Sequence, residues 1–128
     1  MKLLLDTHTF IWWDSEPQRI PSATLLLCQD EANTLLLSVA SVWEMQIKMQ
    51  LGKLALRQPL EVLIADQINT NDLQLLPVTL PHVLALQDLP AHHKDPFDRM
   101  PIAQANIEDA VLLSSDPVMS KYAVRLNG

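Results

Sequence analysis

Short aliphatic runs recur along the chain without the polar–apolar alternation of a half-exposed strand: Leu3–Leu5, Leu35–Leu37, Leu73–Val78 and Val111–Leu113. Continuous apolar runs of this length suit strands covered on both faces, as in a parallel sheet. Longer amphipathic stretches lie between them. Pro21–Ala32 predicts a helix opened by proline, and Val39–Leu51 a helix closed by Gly52. Pro59–Asn69 carries Leu60, Leu63, Ile64 and Ile68 along one side, Pro81–Leu89 is shorter, and Pro96–Glu108 sets Met100, Ala103 and Ile107 on one face. Strands alternating with helices predict an α/β sandwich around a mostly parallel sheet. The segment YAVRL at 122–126 adds a small edge strand, giving four or five strands in all.

The chain has 128 residues, 48% hydrophobic and 19% charged, which predicts one globular domain over residues 1–128 with a real core. A single cysteine, Cys28, excludes an internal disulfide. The opening MKLLL is cut by Asp6 far short of a secretory signal, so the sequence predicts a reducing, cytoplasmic setting. No run approaches the roughly 20 apolar residues of a membrane span. Only two glycines occur, Gly52 and Gly128, so neither common Gly-rich phosphate loop is present. The net charge of −6 argues against gripping nucleic acid by bulk attraction. It does not exclude a nuclease, because bound metal ions invert the local charge of an acidic site.

In open α/β sheets, ligands bind beyond the carboxyl ends of the strands. Asp6 directly follows Leu3–Leu5, and Asp116 follows VLLSS, so both fall at that edge. Each acid also has an ordinary explanation. Asp6 fits the N-cap of a helix starting at Thr7. Glu44 fits a capping box with Ser41 and an i,i+4 pair with Lys48. Asp95-Pro96 and Asp116-Pro117 read as caps followed by proline, and Asp98 suits the dipole of the helix that Asp95 opens. We assign Asp95 to capping. The joint pattern of Asp6, Glu44, Asp98 and Asp116 near strand ends and helix starts is what suggests a site. Two carboxylates about 4 Å apart repel by roughly 4 kcal/mol at an effective dielectric near 20. Four of them need protons or a hard cation among them. Oxygen ligands select Mg²⁺ or Mn²⁺, and no His/Cys cluster suggests zinc: His92 and His93 are adjacent and Cys28 is isolated.

The segments LLLDTHTFIWW, SVASVWEMQIKMQLGKL, HHKDPFDRMPIAQA and LLSSDPVMSKY resemble, in order and across nearly the whole chain, the motifs of PIN-domain proteins, in particular VapC-type toxins. DPFDR…AQA is the most specific piece. The resemblance implies a three-layer α/β/α fold and an acidic site of Asp6, Glu44, Asp98 and Asp116. Thr7 and Ser115 match supporting hydroxyl positions, and Arg99 matches the arginine of the motif. It further implies an Mg²⁺- or Mn²⁺-dependent endoribonuclease leaving 5′-phosphate and 3′-hydroxyl ends, a homodimer, and a partner antitoxin whose tail covers the site. Pro101 departs from the family pattern. Proline inside a helix removes a hydrogen bond and clashes with the preceding turn, so the sequence predicts a kink there or a regular helix beginning nearer Pro101.

The expected chemistry is phosphodiester hydrolysis by a metal-activated water, with Asp6, Asp98 and Asp116 as main ligands and Glu44 as ligand or base. Without the four site acids the charge is −6 + 4 = −2, so recognition of a structured RNA is expected over general binding. Lys48, Lys53 and Arg57 are candidates for one bank of an RNA groove, and Lys94 and Arg99 flank DPFD. Trp12, Trp13 and Trp43 are read first as core or interface and second as base-stacking surfaces. Leu25–Leu27 and Leu60–Ile64 read as core or contact surface, including an antitoxin groove. Two alternatives stand beside this reading. One is a phosphatase of the haloacid dehalogenase type, although DTHT has His8 where that motif needs a second aspartate. The other is an inactive PIN-like module that only docks a partner.

Overall fold

The computed structural model describes residues 1–127. Five strands, β1 (Lys2–Leu5), β2 (Thr34–Ser38), β3 (Gln74–Leu76), β4 (Val111–Leu113) and β5 (Leu126–Asn127), form one sheet in the order β3-β2-β1-β4-β5. Every neighbouring pair is parallel. The α-helices are α1 (Thr7–Ser15), α2 (Ser22–Gln29), α3 (Val39–Gln50), α4 (Leu60–Asn71), α5 (Leu80–Ala85) and α6 (Pro96–Glu108). Short 3₁₀ turns cover Pro17–Arg19, Leu86–Asp88 and Pro117–Lys121.

The leucine runs are covered on both faces, as their lack of alternation predicts. Leu3, Leu5, Leu35, Leu37 and Leu113 join Phe10 of α1, Cys28 of α2, Met45 of α3 and Leu60, Leu63 and Ile64 of α4. Leu4, Leu36 and Leu112 join Ile102 and Ala105 of α6 together with Met119 and Tyr122. The result is an α/β/α sandwich. Leu3, Leu4 and Leu5 are wholly inaccessible to solvent. At about 1.5–3 kcal/mol per buried leucine, the three contribute at most roughly 5–9 kcal/mol, since the unfolded chain already shields part of that surface.

The register determines where the functional end lies. Leu5 pairs with Leu37 on one side and Leu113 on the other. Asp6 and Ser114 therefore leave the sheet beside Ser38, the last residue of β2, and the Asp6 amide donates to the Leu113 carbonyl at 3.1 Å. The chain proceeds outward from β1 through β2 to β3 and then returns to β4 on the opposite side of β1. The crevice of such a sheet opens where strand order reverses, between β1 and β4.

Several boundaries differ from the sequence reading, each for a local reason. The third strand is only Gln74–Leu76 and lies at the sheet edge. The last strand begins at Leu126, because Tyr122 turns inward to the core and Arg125 is the residue whose carbonyl accepts from the Leu112 amide. Helix α2 stops at Gln29, where Asp30 starts a turn by accepting from the Ala32 amide. Helix α5 gives way to a 3₁₀ turn at Leu86. Gly52, at φ 70°, closes α3 as predicted, its amide donating to the Met49 carbonyl. Helix α6 begins at Pro96 and runs through Pro101 without interruption, so the later start near Pro101 is corrected. Asp95 opens α6 as expected, its Oδ1 accepting from the Phe97 amide at 2.8 Å. Cys28 is buried, and burial raises its thiol pKa to about 11, which keeps it protonated and unreactive at neutral pH.

Candidate active site

Asp6 occupies the step from β1 into α1. It is the N-cap of α1, its Oδ1 accepting from the Thr9 amide at 2.7 Å. The cap reading is thus correct, and it coexists with a place in the cleft described below. Thr7, the first residue of α1, turns to α3: its Oγ1 donates to Glu44 Oε1 at 2.6 Å. Glu44 is only 5% exposed. A buried carboxylate needs partners, and its second oxygen has one in Lys48, whose Nζ lies 2.8 Å from Oε2. The predicted i,i+4 pair therefore forms. The predicted Ser41–Glu44 capping box does not. The strand passes directly into the helix at Ser38, which is the N-cap and accepts from the Ala40 amide.

Asp98 is the third residue of α6. Asp116 caps the 3₁₀ turn Pro117–Lys121, its Oδ1 accepting from the Val118 amide at 3.0 Å and its Oδ2 lying 2.9 Å from His93 Nε2. Its own amide donates to Ser114 Oγ at 3.2 Å. Asp6, Glu44, Asp98 and Asp116 line one cleft of about 380 Å³ together with Thr7 and Ser115. The remaining lining residues are His8, Trp12, Phe97, Pro101 and Met119. A larger cleft of about 610 Å³ lies elsewhere, lined by Cys28, Thr34, Asn69 and Gln74 among others, and contains none of these four acids.

The two flanking aspartates are shifted in opposite directions. Burial raises the Asp98 carboxyl above the usual aspartate range, Asp95 adds to the rise, His93 offsets part of it, and Glu44 and Asp116 push it further. Burial also pushes Asp116 upward, but the His93 and Val118 hydrogen bonds and the charges of His93 and His8 outweigh it, so its carboxyl lies below the usual range. Acidity in the cleft is therefore divided between a carboxylate that has compensation and one that lacks it.

Among the described residues, no three His, Cys, Asp or Glu side chains stand together as a ready-made metal cage. Several of the acids' oxygens have hydrogen-bond partners instead. Glu44 is engaged by Thr7 and Lys48, Asp116 by His93 and Val118, and one oxygen of Asp6 by the Thr9 amide. Lys48 sits at an oxygen of Glu44 for which a cation would compete. The donor set itself, all carboxylate, fits a hard divalent ion rather than zinc, and Asp98, raised first by burial and further by Asp95, Glu44 and Asp116, carries a charge that a cation would relieve.

Some sequence candidates have other roles. Arg99 does not line the cleft; its Nη2 donates to the carbonyls of Leu86 and Leu89, both at 3.0 Å, fastening the connection before α6. Arg57 is not free to bind RNA: it forms a two-pronged bond to Asp14 and a further one to Asp66, and those acids hold its guanidinium above its usual pKa. Trp13 packs on the core and donates to Gln67, as the first reading of the tryptophans has it. Trp43 is 62% exposed and meets Phe97 edge-to-face at 5.2 Å, and Trp12 lines the cleft. The sequence reading missed His8, His93 and Ser114. The adjacency of HHK to DPFD was the available signal for His93.

A parallel doubly wound sheet with acids at its switch point defines a class of α/β protein with an acidic crevice. Within that class the chain belongs to the PIN domain family, a family of nucleases; the family's model matches residues 3–125. The haloacid dehalogenase alternative falls with that membership. No curated protein matches the sequence. Solved structures of similar fold include a chain of VapBC2 from Rickettsia felis bound to a DNA fragment from their promoter (15% identity, 99% of this chain and 98% of that chain, TM-score 0.74). A chain of DNA-bound VapBC from Salmonella typhimurium gives 16% identity, coverage of 99% and 97%, and a TM-score of 0.66. A chain of VapBC-1 from nontypeable Haemophilus influenzae gives 18%, 99% and 97%, and 0.63. At these identities the likeness is one of fold.

Proposed function

We propose that the protein is a divalent-metal-dependent endoribonuclease and the toxin of a toxin–antitoxin pair. The observation that carries this reading is the convergence of Asp6, Glu44, Asp98 and Asp116, from four separate segments, on one cleft at the sheet's switch point. Asp6, Asp98 and Asp116 would hold Mg²⁺ or Mn²⁺, and Glu44 would serve as a further ligand or as the base for the attacking water. The chemistry such an ion would supply is a water of lowered pKa and neutralisation of charge on the phosphoryl oxygens. Thr7 holds the Glu44 carboxylate through the 2.6 Å bond, and Lys48 balances its charge while the ion is away. Ser115 lines the cleft beside Asp116 as a further hydroxyl. Products carry 5′-phosphate and 3′-hydroxyl ends.

With a net charge of −6 and Arg57 already paired, the surface offers little general attraction for nucleic acid. Specificity for a structured RNA follows. Similarity in fold to chains of VapBC assemblies supports an antitoxin partner whose tail covers the acidic cleft. Exposed Leu80, Val83 and Leu84 on α5 and Ile107 on α6 support a homodimer. Among the described residues no helix is long and apolar enough to cross a membrane. The lone, buried Cys28 supports a reducing, cytoplasmic setting.

RNA cleavage by wild type and Asp98→Asn, each in Mn²⁺ and in EDTA, tests the reading. Wild-type cleavage only with metal, lost in Asp98→Asn, is the expected result. Undiminished cleavage in EDTA overturns it. Calorimetric titration with Mn²⁺ adds the second arm: heat in wild type and none in Asp6→Asn supports the site, whereas no heat in either favours the inactive docking module.

A further inference from the structure

We propose that His93, anchored by Tyr122, is a positioning residue that holds the Asp116 carboxylate in the cleft and ties the end of β4 to the start of α6. The proposal rests on the reading of Asp116 as a metal ligand.

Asp116 needs such a hold. It follows β4 by a short irregular link and precedes a 3₁₀ turn of only five residues, so no regular element fixes its side chain. Its Oδ1 is held by the Val118 amide, and Oδ2 is met by His93 Nε2 at 2.9 Å. A carboxylate only accepts, so Nε2 carries the hydrogen in this contact whatever the charge of the ring. Each oxygen keeps a further lone pair for a ligand. The Asp116 side chain is 35% exposed, while that of His93 is 10% exposed.

Tyr122 fixes the histidine in turn. Its ring is buried in the core cluster under the sheet. The His93 ring lies stacked on it, 13° from parallel with centroids 5.5 Å apart. The His93 backbone amide donates to the Tyr122 Oη at 2.8 Å, and His93 Nδ1 lies 3.0 Å from the same oxygen. His92 also meets the tyrosine ring, edge-to-face at 5.0 Å. The tyrosine thus grips both the backbone and the ring of His93. Because His93 lies just before Asp95 and α6, the contact also relates the segment carrying Asp98 to Asp116. A partner that orients a ligand in this way is typically worth about 10–100-fold in metal affinity.

The test uses the full chain and two readouts. NMR three-bond couplings report the Asp116 χ1 rotamer in metal-free protein, and calorimetry reports Mn²⁺ affinity. Wild type should show one rotamer, and His93→Ala an average of rotamers with Mn²⁺ affinity reduced about 10-fold or more. His93→Gln, which restores an amide donor, should recover part of both. Tyr122→Phe, which keeps the stacking ring and loses the hydroxyl, should fall between wild type and His93→Ala. A single Asp116 rotamer in His93→Ala overturns the proposal, as does wild-type Mn²⁺ affinity in that variant. If wild type binds no Mn²⁺ while its Asp116 rotamer still depends on His93, the metal-site reading fails and the hold on Asp116 stands.

Discussion

Replacing Thr7 with valine should destabilise the metal-free protein by far more than the loss of an ordinary hydroxyl. Valine matches threonine in shape, so the change removes one hydrogen bond and little else. That bond is 2.6 Å long, joins two buried residues and ends on a carboxylate ion-paired with Lys48. Hydrogen bonds to charged groups contribute about 1.5–3 kcal/mol, against roughly 0.5–1.5 for neutral ones. At about 2.1 cal/mol/K per residue, a chain of 128 residues unfolds with an entropy near 0.27 kcal/mol/K. Thr7→Val should therefore lower Tm by about 6–11 °C. In a Glu44→Gln background the same change meets a neutral acceptor and should cost about half as much, giving a coupling of roughly 1 kcal/mol. Thermal unfolding of the four proteins in EDTA, followed by circular dichroism, measures this cycle. A Tm drop below about 2 °C for Thr7→Val, or strict additivity, refutes the argument that this hydroxyl supports the buried Glu44 charge.

Asp98→Asn should raise metal-free stability slightly while abolishing cleavage, because it removes a charge disfavoured first by burial and then by Asp95, Glu44 and Asp116, an effect that solvent screening keeps small; unfolding in EDTA beside an RNA assay checks both halves. Asp116 is ionised more readily in the folded chain than in the unfolded one. Its contribution is thus complete above the unfolded value near 3.9 and is lost as pH falls through the lower folded value. Acid unfolding curves should show Asp116→Asn losing that part of the pH dependence below about pH 4; an unchanged slope counts against it. Ile102, inaccessible between α6 and the sheet, should lose about 0.5–1.5 kcal/mol on truncation to valine, read by urea unfolding with an unchanged m-value. Arg57→Ala should lower stability without reducing RNA cleavage, because Arg57 is held by Asp14 and Asp66; a cleavage defect at equal stability would return it to the RNA groove.

Much of the cleft was legible because strand ends are legible. Asp6 and Asp116 each follow an aliphatic run, and the parallel sheet brings those ends together. Glu44 was harder, since its spacing to Lys48 fits an ordinary helical ion pair, and that pair does form. Local rules identified several caps correctly, but they did not show that Asp6 and Asp116 cap a turn with one oxygen while facing a shared cleft. Arg57 and Arg99 read as solvent-facing cations because their partners, Asp14 and the carbonyls of Leu86 and Leu89, are contributed from elsewhere along the chain.

The sequence alone determined the layered α/β architecture and the edge of the sheet on which acids would gather. Uninterrupted leucine runs must be covered on both faces, and proline and acidic caps mark where helices begin. Tertiary structure alone decided which groups answer those acids. Thr7 meets Glu44 across 37 residues and His93 meets Asp116 across 23. Such contacts depend on strand order and register, which bring together side chains whose separation along the chain carries no periodic signal.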